Sequence, residues 1–337
     1  MRVFFDKENF ISFSKLIEFD ARKTNILDML KKNLPIHFNF DLDSLDDDEF
    51  ILVEEFWEGV SEDWVYTHKV DKVSPRPVEV DSFPEKSGVY LISCDNLPKI
   101  KRKKLFLIGG LGEELDCLGK ILIDPDEYGF HVPFGVGDYL FKSWSEVRDF
   151  AFPFSYMFII DRYIFKSNNL VLFNFNLKVI LNEFYLDKEG PSKLVFIYQV
   201  NPFVRREDPK FDLGPDLENL RTMIRKTIKA INRNCKSPDL YFFGIPHKEI
   251  KDEHDRHLIT NYVRIRPGDS FTYFDSLGNI VSASSEVDVF SLGKKVYREK
   301  SHFIVEKMRS FVKESFERFP RFCLLEPGKS VDDALEI

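Results

Sequence analysis

The chain has 337 residues, of which 43% are hydrophobic and 31% are charged, and its formal net charge is −8. This composition excludes a disordered chain, and the length is sufficient for two domains. No apolar run approaches the roughly 18 residues that a membrane span needs. Its four cysteines, Cys94, Cys117, Cys235 and Cys323, have neither metal-ligand nor redox spacing. We therefore expect reduced thiols in a cytosolic protein, with no bound metal and no cofactor.

The charge is unevenly distributed along the chain. Residues 1–150 sum to −11 and residues 151–337 sum to +3, which together give the net charge of −8. Such asymmetry indicates two units with different partners. The acidic half would suit a protein partner, whereas the basic half could contact nucleic acid or anionic lipid headgroups.

The first half shows mixed α and β patterns. A helix is predicted over residues 14–33, followed by a solvated acidic loop over residues 41–50. Strands are predicted over residues 50–60, 87–93 and 104–110. The acidic loop lacks the central glycine of a calcium-binding loop. We assign residues 1–148 to a mixed α/β domain of unknown role.

The second half alternates strands and helices more regularly. Buried strands are predicted over residues 155–165, 192–200 and 239–246. Helices over residues 169–185 and 216–234 lie between them. This β-α-β-α-β order predicts a parallel sheet with right-handed crossovers.

The remaining elements complete an α/β domain. We predict a strand over residues 257–266, a hairpin over 270–283 that turns at Gly278, and a helix over 298–319. The domain is assigned to residues 149–322. Residues 323–337 are predicted to form a loose tail.

A polar motif precedes the strand over residues 257–266. His254, Asp255 and Arg256 stand in line, and Asn261 follows four residues after Arg256. His257 alternates away from Arg256 on a strand, which predicts that its side chain is exposed and incidental.

This spacing resembles the His-x-Lys-x4-Asp motif of the phospholipase D superfamily, with Arg in place of Lys and Asn in place of Asp. The altered form is similar to the phospholipase-D-like domain at the C-terminus of microtubule-interacting-and-trafficking (MIT) proteins and their bacterial relatives. Two further features agree with that domain: Asp161 and Tyr163 on its first strand, and a basic glycine turn formed by Arg264, Arg266 and Gly268. The resemblance covers roughly residues 150–320.

The resemblance implies a phosphate-binding site, which a basic stripe on the helix 216–234 could extend. The predicted phosphate-binding residues are His254, Arg256, Asn261, Arg264, Arg266, Arg225 and Lys229. Asp161, Arg162 and Asp255 are predicted to form a supporting network. His254 is also a candidate nucleophile, because two copies brought together in a homodimer could cleave a phosphodiester.

Three functions remain open at this stage. By resemblance to domains of bacterial conflict systems, the first is a cytosolic anti-phage defence accessory or sensor that binds nucleic acid or lipid phosphates without cleavage. The second is a dimeric phosphodiesterase or nuclease. The third is an interaction scaffold in which the His-Asp-Arg run is a buried salt-bridge network.

Overall fold

The structure is a computed structural model, and its contacts divide the chain into two compact units. The first comprises residues 1–130 and 291–298, and the second comprises residues 131–290 and 299–337. The boundary predicted at residue 148 stays a prediction, since the first of these units also takes in residues 291–298. The residues that the structure describes are 3–16, 36–38, 40, 42–58, 89–91, 106–108, 141–151, 154–165, 170–186, 193–200, 216–246, 256–281 and 286–337.

The helices and strands are numbered here in chain order. The strands are β1 (Val3–Phe5), β2 (Ile36–Phe38), β3 (Val89–Leu91), β4 (Phe106–Ile108), β5 (Tyr156–Ile160), β6 (Lys193–Val200), β7 (Asp239–Pro246), β8 (His257–Ile259), β9 (Val263–Pro267), β10 (Val287–Ser291) and β11 (Cys323–Leu324). The α-helices are α1 (Lys7–Leu16), α2 (Asp47–Glu58), α3 (Leu170–Phe175), α4 (Leu177–Tyr185), α5 (Leu217–Ile231), α6 (Lys295–Arg318) and α7 (Val331–Leu335). Short 3-10 helices span Leu42–Ser44, Trp144–Phe150 and Pro320–Phe322.

The first unit contains a parallel sheet with strand order β2-β1-β3-β4. Phenylalanine side chains form its core: Phe10 packs edge-on against Phe38 at 4.7 Å between ring centroids and against Phe56 at 5.3 Å. This packing accounts for part of the high phenylalanine content. The predicted strands over 87–93 and 104–110 are confirmed as β3 and β4.

The strand predicted over residues 50–60 is wrong, because residues 47–58 form helix α2. Asp46 and Glu49 form a reciprocal cap: Glu49 N donates to Asp46 Oδ1 at 2.8 Å, and Asp46 N donates to Glu49 Oε2 at 3.1 Å. Val53 and Phe56 lie three residues apart and are both buried. The predicted acidic loop is therefore partly the first turn of a helix, where acidic residues are favoured.

The second unit contains a seven-stranded mixed sheet with strand order β10-β9-β8-β5-β6-β7-β11. Strands β5, β6 and β7 are parallel, which confirms the predicted core. Helices α3 and α4 connect β5 to β6, and α5 connects β6 to β7. Strand β8 pairs antiparallel with β5, with Ile160 opposite His257, and β9 pairs antiparallel with β8.

The helix predicted over residues 169–185 is divided at Asn176 into α3 and α4. The Asn176 side chain is buried and makes several hydrogen bonds to neighbouring segments. Its Oδ1 accepts from Trp144 Nε1, Tyr273 N and Phe274 N, and its Nδ2 donates to the carbonyls of Leu172 and Phe274. A side chain with this many partners fixes the break in the helix.

The predicted hairpin over residues 270–283 has little strand structure in its described part. Only an isolated bridge joins Phe274 to Ile280. Asp275 organises the turn by accepting hydrogen bonds from Leu277 N and Asn279 N, and Gly278 adopts a positive φ of 82°. The turn at Gly278 is confirmed, while its flanking strands are shorter than predicted.

The loose tail predicted for residues 323–337 is wrong, because this segment is ordered. Strand β11 pairs antiparallel with β7, and helix α7 begins with a capping box between Ser330 and Asp333. Ala334 and Leu335 are completely buried. Buried apolar side chains and a satisfied helix start hold the segment on the domain.

Several predicted features fall partly or wholly outside the described residues. Of the helix predicted over 14–33, only residues 14–16 are described, and they belong to α1.

The helix predicted over 298–319 is confirmed as α6, which buries Val305, Met308 and Val312. No helix among the described residues combines the length and apolar composition needed to cross a membrane.

Candidate functional site

The carboxyl ends of the parallel strands collect several polar residues. Asp161 and Arg162 follow β5 directly, and Gln199 lies near the end of β6. Because β8 is antiparallel to β5, Arg256, which immediately precedes β8, reaches the same edge. Ligand sites of α/β sheets lie beyond the carboxyl ends of parallel strands. We refer to this part of the sheet as the carboxyl edge.

Asp161 is fully buried at the carboxyl edge and joins two segments of the unit. Its Oδ1 accepts a hydrogen bond from Tyr163 N at 2.8 Å. Its Oδ2 accepts from Ser270 Oγ at 2.7 Å and from Phe271 N at 2.5 Å. Burial raises the pKa of Asp161, while these donors and Arg256 act in the opposite direction. Asp161 thus joins the end of β5 to residues 270 and 271.

Two arginines converge on one aromatic ring at this edge. The guanidinium carbons of Arg256 and Arg162 lie 5.4 Å and 5.5 Å from the centre of the Tyr163 ring. Arg256 Nε lies 3.9 Å from Asp161 Oδ1, and Arg162 Nε donates to Gln199 Oε1 at 2.7 Å. Burial lowers the pKa of Arg256 from its ordinary value, and the Asp161 charge opposes this effect. Both guanidinium groups thus lie within cation–π distance of the same ring, and both arginine side chains are buried.

Asn261 does not lie at the carboxyl edge. It follows β8, at the other end of that strand from Arg256, and its Oδ1 accepts hydrogen bonds from Ser155 N at 2.7 Å and Tyr156 N at 3.4 Å. These contacts hold the start of β5. The motif residues Arg256 and Asn261 are therefore separated by the length of β8 and do not form one binding site.

The arginines of β9 are engaged with the neighbouring strand β10. Arg266 forms an ion pair with Asp288, and its guanidinium carbon lies 5.5 Å from the centre of the Phe290 ring. The guanidinium of Arg264 is buried over the same ring at 4.2 Å. These contacts give both predicted phosphate ligands a packing role within the sheet.

The predicted basic stripe on α5 is partly neutralised by a residue of the C-terminal segment. Arg225 Nη2 donates to Glu326 Oε1 at 2.5 Å, and that oxygen also accepts from Leu240 N at 2.9 Å. Lys229 and Arg233 remain exposed. Sequence reasoning missed Glu326, because an acidic residue in a presumed tail carries no signal of its buried position.

His254 and Asp255 lie outside the described residues, so the structure places neither of them. His257 was predicted to be exposed, and this prediction is wrong: its side chain is fully buried. Neither ring nitrogen has a hydrogen-bond partner in the described part of the chain. Burial, followed by the charges of Arg264 and Arg266, lowers the pKa of His257 to about 3. A neutral imidazole is therefore part of the sheet core.

Two further findings are not confined to the second unit. Within the described ranges, no three His, Cys, Asp or Glu side chains are grouped as metal ligands would be. Comparison of the chain with protein-family models, with curated proteins and with solved structures finds no match.

Proposed function

We propose that the second unit recognises phosphate groups at the carboxyl edge, as a degenerate phospholipase-D-like domain. The observation that carries this proposal is the convergence of Arg162 and Arg256 on Tyr163, beyond the ends of the parallel strands. The two arginines come from segments far apart in sequence. The resemblance places the phosphate contact at the same motif, with His254 as a further donor.

Guanidinium groups suit this role because their planar set of donors matches two oxygens of a phosphate. At the carboxyl edge, Arg162 is oriented by Gln199, and Arg256 lies beside Asp161. Binding to groups that are already oriented loses less conformational entropy than binding to mobile side chains. Asn261, Arg264, Arg266 and Arg225 are occupied elsewhere in the fold, so the proposed site omits them. It adds Arg162, which was predicted only as part of the supporting network.

We propose binding without cleavage. The resemblance gives one motif per chain, and covalent catalysis would require a second His254 from another copy. The polyanion is nucleic acid or a lipid headgroup, because both present the same phosphate chemistry. The resemblance alone supports a cytosolic role as a defence accessory or sensor, in which the acidic first unit would engage a protein partner.

The proposal is tested by binding of two probes, a labelled single-stranded DNA and vesicles that contain phosphatidic acid. We expect Arg256→Gln to weaken binding of the recognised probe by about 5- to 150-fold, as for loss of one charge-assisted contact. Binding should also weaken steeply as salt rises from roughly 50 to 200 mM.

The matched control is Arg148→Gln. Arg148 is paired at 2.6 Å with the buried Glu183, so its replacement also removes a guanidinium from a buried carboxylate. Equal loss of binding in both variants, or no binding of either probe, would overturn the proposal. Hydrolysis of a model diester that disappears in His254→Ala would instead support the phosphodiesterase.

A further inference from the structure

A large cavity lies on the helical side of the sheet in the second unit. Its volume is about 990 Å³, near the upper end of the range for small-molecule sites. It lies between helices α3 and α4 and helix α5, and it extends to Ile164 and Phe165 after β5. None of the arginines of the carboxyl edge is among its described lining residues.

The described walls of the cavity are mainly apolar. Phe165 and Leu177 are buried, and Leu172, Phe173 and Met223 are half-buried. Packed protein interiors leave few voids larger than a water molecule. A cavity of this size with apolar walls therefore provides a surface that an apolar ligand could cover.

The rim of the cavity carries a positive charge. Lys178 of α4 and Lys226 of α5 both line it, both are exposed, and neither forms an ion pair with a described residue. The acidic lining residue in the described part is Asp216, whose carboxylate caps α5 by accepting from Asn219 N at 3.1 Å and Asn219 Nδ2 at 2.6 Å. The two lysines are therefore available to an anionic group at the opening.

We propose that this cavity binds one molecule of a free amphipathic anion, with its apolar part between the helices and a single carboxylate or phosphate at Lys178 and Lys226. Apolar walls and a basic rim complement these two parts of such a ligand. The site is separate from the carboxyl edge and does not rest on the proposed phosphate recognition there.

The experiment uses the full chain and three probes of equal chain length: decyl phosphate, decanoate and the uncharged decan-1-ol. Isothermal titration below the micelle concentration should show one binding site for each anion and weaker binding of the alcohol. Thr227→Trp, which places a large ring in the cavity from α5, should abolish binding. Ala230→Phe, at an exposed lining position of the same helix, is a second filling variant.

A pair of charge reversals tests the rim. Lys226→Glu should weaken binding of both anions by about three- to tenfold and leave the alcohol unchanged. Lys236→Glu is the matched control, because Lys236 is an exposed lysine shortly after the same helix and is not among the described lining residues. Equal effects of the two reversals would show that Lys226 has no specific contact with the charged group of the anion.

Two other outcomes would overturn the proposal that the cavity binds the anion. One is the absence of binding for all three probes. The other is binding of decanoate that is unchanged in both Thr227→Trp and Ala230→Phe, since the anion would then bind outside the cavity. Thermal unfolding of each variant shows whether a loss of binding reflects a loss of fold.

Discussion

The two edges of the seven-stranded sheet bury polar side chains in different ways. At the opposite end of the parallel strands, which we call the amino edge, Asn261 holds the start of β5. Glu326 there accepts hydrogen bonds from Arg225 at 2.5 Å and from Leu240 N at 2.9 Å. At the carboxyl edge, the Arg256–Asp161 separation is 3.9 Å, and the guanidinium lies over an aromatic ring. Two residues of one short motif, Arg256 and Asn261, therefore lie at opposite edges of the sheet and make different kinds of contact.

The largest effect is expected when the carboxyl edge loses its central carboxylate. Asp161→Ala removes the acceptor of Tyr163 N, Ser270 Oγ and Phe271 N and leaves Arg256 without its buried counter-charge. We expect the free energy of unfolding to fall by about 3–5 kcal/mol, measured by urea denaturation. The exposed turn residue Asp275 serves as control, and an equal loss in Asp275→Ala would show that Asp161 has no special role.

A smaller loss is expected at the amino edge. Glu326→Gln keeps the shape of the side chain but removes the charge that Arg225 and Leu240 N contact. The free energy of unfolding should fall by about 1–3 kcal/mol in the same assay. Glu218→Gln changes an exposed partner of Arg221 and should stay within about 0.5 kcal/mol. If the two changes cost the same, Glu326 is an ordinary surface acid.

His257 extends the comparison, because it is buried beside the carboxyl edge, opposite Ile160, without the hydrogen-bond partners that Asp161 has. The pKa of His257 is about 3 in the folded state, against an ordinary value of 6.5. The unfolded state therefore binds the proton first, and stability is lost as pH falls from 6.5 towards 3, by up to about 1.4 kcal/mol per pH unit. Above pH 6.5 this contribution is constant.

The test compares the parent with His257→Leu by urea denaturation at several pH values from 7 down to 4. The variant should lose less stability on acidification. It should be at least as stable as the parent at pH 7, since it removes two buried ring nitrogens that have no partner among the described residues. The difference between the two proteins cancels the contribution of Asp161, whose pKa is raised. Parallel pH curves would show that the pKa of His257 is the same in the folded and unfolded states.

The smallest effect is expected on the exposed part of α5. Lys229→Glu combined with Arg233→Glu should change the free energy of unfolding by about 0.5 kcal/mol or less, because both side chains are exposed. Arg225 is left unchanged, since its reversal would place a second carboxylate against Glu326. DNA or vesicle binding that falls in this double variant would extend the proposed phosphate site to the helix, and unchanged binding would leave α5 outside it.

The core of the second unit could be predicted because its strands and helices differ in apolar period. The positions of β5, β6, β7 and α6 follow directly from those patterns. Helix α2 was missed because its apolar run also suits a strand, and only the Asp46–Glu49 cap decides between them. The break at Asn176 and the buried Glu326 depend on partners far along the chain, which local patterns do not contain.

The candidate site could be located only in part. The spacing of the motif identified Arg256, and the first strand identified Asp161, which the fold brings together. Spacing alone could not show that Asn261 would reach the opposite edge, because that follows from the antiparallel pairing of β8 with β5. The alternation rule failed for His257 since both faces of β8 are covered.

The pairing of β7 with β11 has a consequence for synthesis on the ribosome. Strand β7 is translated long before β11, and at roughly 5–20 residues per second the interval lasts several seconds. Gly244 of β7 packs tightly against the segment that leads into β11, since an added Cβ would lie 2.8 Å from Phe322 Cβ. Until that segment emerges, the outer side of β7 exposes backbone groups that another chain could pair with. A nascent-chain chaperone would therefore be most useful in this interval.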